Sequence, residues 1–132
     1  MSSTKQIVDN YYTCLKQRDR ENLLGLLSSD IVVTYHAQDG QFPWAGKFYG
    51  IAGFDRFFSI IKDHLDIIEV TIIDSIVDNN KMVNQCQGTW QYKATGYVVK
   101  GGMVNVFTVE GDKITNYDVY ADTAAFAAGL PA

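Results

Sequence analysis

Cysteine and proline are scarce in this chain of 132 residues, which has two of each. Cys14 and Cys86 are too few for a disulfide framework, and neither stands in a C-x-x-C pair, so both read as small buried apolar side chains. There is no run of Lys or Arg, and 15 acids against 11 bases leave a net charge of −4. A surface that tracks phosphates needs clustered positive charge, so no nucleic-acid partner is expected. No apolar run reaches the roughly 18 residues of a membrane span, so no membrane partner is expected either. The opening Met-Ser-Ser-Thr-Lys-Gln lacks an apolar stretch of signal-peptide length, which gives the expectation of a cytoplasmic protein. No His/Cys/Asp/Glu cluster has metal-ligand spacing, and Gly46, Gly50 and Gly53 follow no strand in the register of a phosphate loop. The reading is therefore no metal and no cofactor.

What is present is ordinary globular material. Hydrophobic residues make up 47% and charged residues 20%, enough to bury a core in one domain spanning 1–132. Ser3 with Gln6 forms a capping box for a first helix whose apolar stripe is Val8, Tyr11, Tyr12 and Leu15. Asp19 caps a short second helix rich in leucine. A strand over 30–38 follows, with Val32, Thr34, His36 and Gln38 on one face. The stretch 41–50 reads as an irregular loop whose Phe42, Trp44, Phe48 and Tyr49, with Pro and Gly, suggest that it folds inward over something apolar. Phe54, Phe57, Phe58, Ile61 and Leu65 mark the third helix. Residues 69–77 are β-branched and form a strand. Met82 to Tyr92 alternate as a half-buried strand, and 97–109 return with Gly101-Gly102 as an expected bulge. Glu110-Gly111-Asp112 is a hairpin loop, and Asp122 caps a short last helix ended by Gly129.

The last strand carries the chemistry. Side-chain alternation places Ile114, Asn116, Asp118, Tyr120 and Asp122 on one face. Buried carboxylates must be paired, hydrogen-bonded or protonated, so such a row is costly unless it lines a cavity. If Asp118 and Asp122 both point inward, like charge raises one pKa and makes a donor–acceptor pair. The competing reading of Asp122 is a simple helix cap. His36 is a candidate general acid or base with a side chain that titrates near neutrality, and its plain alternative is a half-exposed strand end. Tyr120 and Asn105 are candidate oxyanion donors. Trp44, Trp90, Met103 and Phe107, with Tyr12 and Phe58, are candidate ligand-binding residues that read equally as core.

Pro43-Trp-Ala-Gly46 with Gly50-Ile-Ala-Gly53-Phe-Asp-Arg-Phe-Phe58 resembles a stretch typical of SnoaL-like domains. Thr95-Gly96 and Gly111-Asp-Lys-Ile114, leading into Tyr120-Ala-Asp122-Thr, do the same. Those domains belong to the NTF2-like superfamily, with ketosteroid isomerase among its members. The resemblance implies an α+β cone: a strongly curved, mainly antiparallel sheet closed by three N-terminal helices, with a short C-terminal helix. It also implies a pocket at the wide end and a homodimer, here through the outer sheet face that carries Gln85, Gln87, Thr89 and Gln91. In the isomerase pattern a base follows the first strand, where this chain has His36 and Asp39. The first helix supplies a Tyr, here Tyr11 or Tyr12, and Asn105 stands near the place of an oxyanion Asp. In the cyclase pattern the last strand carries an acid/base Asp, for which Asp118 or Asp122 is the match.

The function expected is a cofactor-independent enzyme of the polyketide cyclase or ketosteroid isomerase type. It would take a small apolar carbonyl compound and abstract a proton beside the carbonyl. The rival is a non-catalytic domain that binds a small apolar ligand or docks a protein partner.

Overall fold

The computed structural model describes residues 3–131. Helix α1 (Thr4–Gln17) begins at a reciprocal cap. The Ser3 hydroxyl accepts from the Gln6 amide at 3.1 Å, and the Gln6 side-chain oxygen accepts from the Ser3 amide at 2.9 Å. Two donors that a helix start would orphan are thereby satisfied. The helix stops at Arg18, whose φ of 55° is left-handed, and buries Ile7, Val8, Tyr11 and Cys14. Helix α2 (Arg20–Gly25) is capped by Asp19.

Then come β1 (Leu27–Tyr35), β2 (Gly46–Tyr49), α3 (Gly50–His64), β3 (Leu65–Asp78), β4 (Lys81–Tyr92), β5 (Val98–Glu110), β6 (Lys113–Ala121) and α4 (Thr123–Ala127). They form one unclosed sheet in the order β2-β1-β6-β5-β4-β3. Only the β1–β6 pair is parallel. The concave side packs against α1 and α3, so the core lies between sheet and helices.

Three expectations are corrected here. The stretch 41–50 is not irregular throughout, because its end pairs with β1 as the edge strand β2. The first strand begins earlier and ends at Tyr35, although the His36 amide still bonds to the Val119 carbonyl at 3.0 Å. Gly101-Gly102 is not a bulge: both pair in unbroken register with Gly88 and Gln87. The irregularities fall elsewhere. Ile68 and Ile73 interrupt the β3–β4 register, and Thr115 is skipped between the Val109–Ile114 and Thr108–Asn116 pairs.

The Thr115 bulge changes the phase of β6. Ile114 faces inward before it, but Tyr117, Val119 and Ala121 face inward after it, and Asp118 and Tyr120 are turned to the convex side. A one-residue insertion exchanges the two faces of a strand, and simple alternation over this segment therefore assigns the wrong side.

Strand β3 is an open edge. Seven aliphatic side chains between Ile67 and Val77 are 40–63% exposed, more apolar surface on one strand than a monomer ordinarily leaves to water.

Gly53 sets how closely α3 approaches β2. A Cβ there would stand 2.7 Å from the carbonyl carbon of Phe48, a backbone atom. Gly53→Ala is expected to destabilise by about 1–2 kcal/mol, the overpacking penalty less the helix-propensity gain. A urea midpoint lowered at unchanged slope would show this; an unchanged midpoint would mean that β2 gives way freely.

Candidate functional site

The inward phase of β4 is apolar except at one place, Asn84, which is fully buried. It stands opposite Asn105 of β5. An amide in such a position must find partners, and both amides find the same one. Asn84 Nδ2 and Asn105 Nδ2 donate to the Tyr12 hydroxyl of α1, at 3.3 and 3.2 Å. Ser75 of β3 donates to Asn84 Oδ1 at 2.6 Å. Asn105 Oδ1 is buried and accepts from nothing among the described residues. Since Tyr12 accepts twice, its own proton is left to donate elsewhere.

Beside this cluster lies an apolar cavity of about 80 Å³ between α3, α4 and the sheet. Phe58, Trp90, Met103, Tyr117 and Val119 are among its walls, and Ile67 and Val70 form its rim on β3. Val119 is the cross-strand partner of Asn105, and Met103 lies two residues along on the same face. Asn105 itself, like Asn84, Tyr12 and Phe107, is not among the residues that line the cavity; it stands one cross-strand step from the Val119 wall. Tyr117 stacks on Phe107 at 4.8 Å and places the aromatic wall between cavity and α1.

The site carries no charge. Burial raises the Tyr12 pKa, with the two amide bonds working against it. Burial lifts Tyr11 and Tyr117 well above the ordinary tyrosine value, and pushes Tyr92 up to about 12. Tyr35 is raised by burial, with the Trp44 indole opposing, although no group among the described residues completes a hydrogen bond to its hydroxyl. The Cys86 thiol is raised by burial as well. Among the described residues, no carboxylate or imidazole lines the cavity.

The remaining candidates gather on the other side of the sheet. His36 Nε2 lies 2.8 Å from Asp118 Oδ1, and its ring stacks on Tyr120 with centroids 4.0 Å apart. Asp122 is exposed and accepts from the Ala125 amide at 3.1 Å as the cap of α4. The structure therefore brings His36, Asp118 and Tyr120 together but separates them from Asn105 and Tyr12, which share the interior with Phe107. Trp44 does not line the cavity; it is buried against Phe42, with ring centroids 5.1 Å apart. Asp55 forms a two-pronged ion pair with Arg20 at 2.8 and 2.7 Å.

Residues 8–117 match the family model of the SnoaL-like domain. The chain belongs to the SnoaL-like family. No curated protein sequence matches it. Among solved structures, an NTF2-like protein from Burkholderia thailandensis is 19% identical over 100% of both chains, with a TM-score of 0.87. A proposed SnoaL-like polyketide cyclase from Mesorhizobium loti is 18% identical over 90% of this chain and 99% of its own, with a TM-score of 0.73. TerC, co-crystallised with polyporic acid, is 21% identical over 97% of this chain and 98% of its own, with a TM-score of 0.80. At these identities the structures share the fold.

Within this SnoaL-like frame, sequence reasoning missed Asn84, Ser75 and Tyr117. A signal existed for Asn84, the lone amide in an otherwise apolar inward series. Ser75 and Tyr117 lie beyond bulges that alternation does not reveal.

The tyrosines supply a test. At least five of the eight are raised from 10.0 by burial, whereas the unfolded chain ionises at the ordinary value. Their contribution to stability is therefore complete below about pH 10 and is lost as pH rises toward the folded-state values. Ultraviolet titration is expected to lag behind free tyrosine, with urea midpoints falling above that pH. Eight tyrosines ionising together at the ordinary value, with stability flat, would contradict the buried cluster.

Proposed function

We propose that this SnoaL-like domain binds a small, largely apolar molecule through a carbonyl or phenolic oxygen, held by neutral donors. The observation that carries this is the Tyr12 hydroxyl, which accepts from two buried amides just behind the wall of an uncharged cavity, so that a ligand oxygen reaches it when Tyr117 or Met103 gives way. Two donors on a phenol oxygen polarise its O–H, which makes it a stronger donor to a ligand oxygen. The orphaned Asn105 Oδ1 offers an acceptor for a ligand hydroxyl. The same donors would stabilise an enolate if the bound molecule lost a proton, which is how the reading meets the cyclase and isomerase chemistry of this superfamily. The base for such a step would have to come from outside the cavity wall, since His36 and Asp118 face the convex side.

Acetophenone, which does not titrate, is the probe, followed by Trp90 fluorescence. Its affinity is expected to be flat from roughly pH 5 to 9, because every titrating group of the interior is raised above its ordinary value. Tyr12→Phe is expected to weaken binding about three- to tenfold, the worth of one hydrogen bond. His36→Ala and Asp118→Asn are expected to leave it unchanged. Loss of binding in those two variants, or none in Tyr12→Phe, would overturn the reading.

A second reading, association of two copies, is favoured by β3. Its aliphatic side chains form a larger apolar surface than the polar row Gln85, Gln87, Thr89 and Gln91 on the sheet face, and its outer edge offers unpaired backbone groups. A second copy adding its own β3 would satisfy both. Sedimentation velocity over a concentration series is expected to show a dimer that Ile68→Lys with Ile73→Lys dissociates. A monomer at every concentration, or a dimer indifferent to these changes, would rule the edge out.

A further inference from the structure

A second recess lies on the other side of Phe58 and Ile61. It is an open groove of about 670 Å³ between the α1–α2 corner and α3, and it shares Phe58, Ile61, Leu65 and Ile67 with the inner cavity. The two spaces are thus faces of one apolar wall. Cys14, Leu23 and Phe54 continue the apolar surface into the groove.

Its rim is charged, and the charges do not balance. Four cations line it, Arg18, Arg20, Lys62 and Lys93, against two acids, Asp55 and Asp66. Arg20 is committed to Asp55 through both nitrogens, and Lys93 reaches Asp66 at 3.7 Å. Among the described residues, neither Arg18 nor Lys62 has a carboxylate within 4.0 Å. The groove therefore holds an excess of two positive charges in a chain whose net charge is −4. A plain account exists for each cation. Arg18 caps the C-terminus of α1 and Lys62 lies in the last turn of α3, where cations complement the helix dipole. That account does not explain why both overlook an apolar floor continuous with a cavity.

We infer that the groove receives the carboxylate of an amphipathic acid at Arg18 and Lys62, with the apolar body of the acid passing over Phe58 and Ile61 toward the cavity. This rests on the ligand-binding reading above and narrows its ligand class. The acid lies across the wall, anion in the groove and ring or chain inward, so that its far end approaches Met103 and Val119. Charge selects the ligand at the mouth, where water still solvates the ion and no large desolvation cost arises. Apolar contact holds the remainder.

The test compares 4-phenylbutanoate with 4-phenylbutan-1-ol, which have the same body and differ in charge. At low salt the acid is expected to bind about five- to tenfold more tightly, with the preference fading as salt screens the rim. Arg18→Gln combined with Lys62→Gln is expected to abolish the preference and leave the affinity for the alcohol unchanged. Lys100→Gln, on the exposed side of β5, is expected to change neither. Because the alcohol reports on the cavity alone, the outcomes separate. Alcohol binding with no preference for the acid, or a preference that survives the double variant, overturns this inference and spares the pocket. Binding of neither compound overturns this inference, and the acetophenone titration then decides the pocket by itself, since neither probe carries an oxygen at its inner end.

Discussion

One unpaired residue of β6, Thr115, decides which chemistry lies inside this fold. Without it the phase set by Ile114 would carry Asn116, Asp118 and Tyr120 into the concave face. With it, Tyr117, Val119 and Ala121 go inward instead. The consequence is electrostatic as much as geometric. A lone carboxylate in such an interior costs several kcal/mol unless paired, and Asp118 instead meets His36 on the convex side, partly solvated. The bulge thus keeps charge out of the core and gives that space to aromatic rings.

Polar groups remain inside, all of them neutral. Asn84, Asn105, Tyr12 and Ser75 satisfy one another nearly completely. Each such bond contributes roughly 1 kcal/mol, and each unmade one costs about as much or more. Three buried polar atoms are left without a partner among the described residues, the Tyr11 and Tyr35 hydroxyls and Asn105 Oδ1; Tyr35 is one of the residues lining the cavity, and Asn105 stands one cross-strand step from its wall. If the cavity binds a ligand as proposed, it discriminates by where these donors and acceptors stand, and a ligand oxygen gains most when it completes the set. Neutral donors also respond to charge that develops on that oxygen without first attracting an ion from water.

The fold was legible because its signals are local. The capping box of Ser3 and Gln6, the aromatic stripe of α3 and the alternation of β4 each require only a few neighbouring residues to read. The site was legible in part. Asn105 and Tyr12 were visible as a strand amide and a helix tyrosine, but their meeting depends on α1 crossing β4 and β5, a long-range packing that no window of sequence contains. Asp118 and Tyr120 share a face by alternation, but that face is the convex one, and a bulge has no strong residue signature; the meeting of His36 with both is a cross-strand contact that alternation does not contain. Thr115 looks like any strand threonine. Asp122 shows the opposite case: the cap read from its local sequence is what its side chain does.

The bulges of β3 act on the same principle at the other edge. Ile68 and Ile73 each add a residue against β4, and bulges bend and twist the strand that contains them. Beyond Leu65, β3 leaves the cover of the helices, and its concave-side residues Ile67, Val70, Ile72 and Val77 meet solvent. The opening of the cavity at Ile67 and Val70 and the exposure of the aliphatic edge are therefore one event. A strand that stayed under the helices would be better buried and would close the pocket. This chain leaves that apolar surface in water at the rim of the cavity, so a partner covering β3 would also cover that rim.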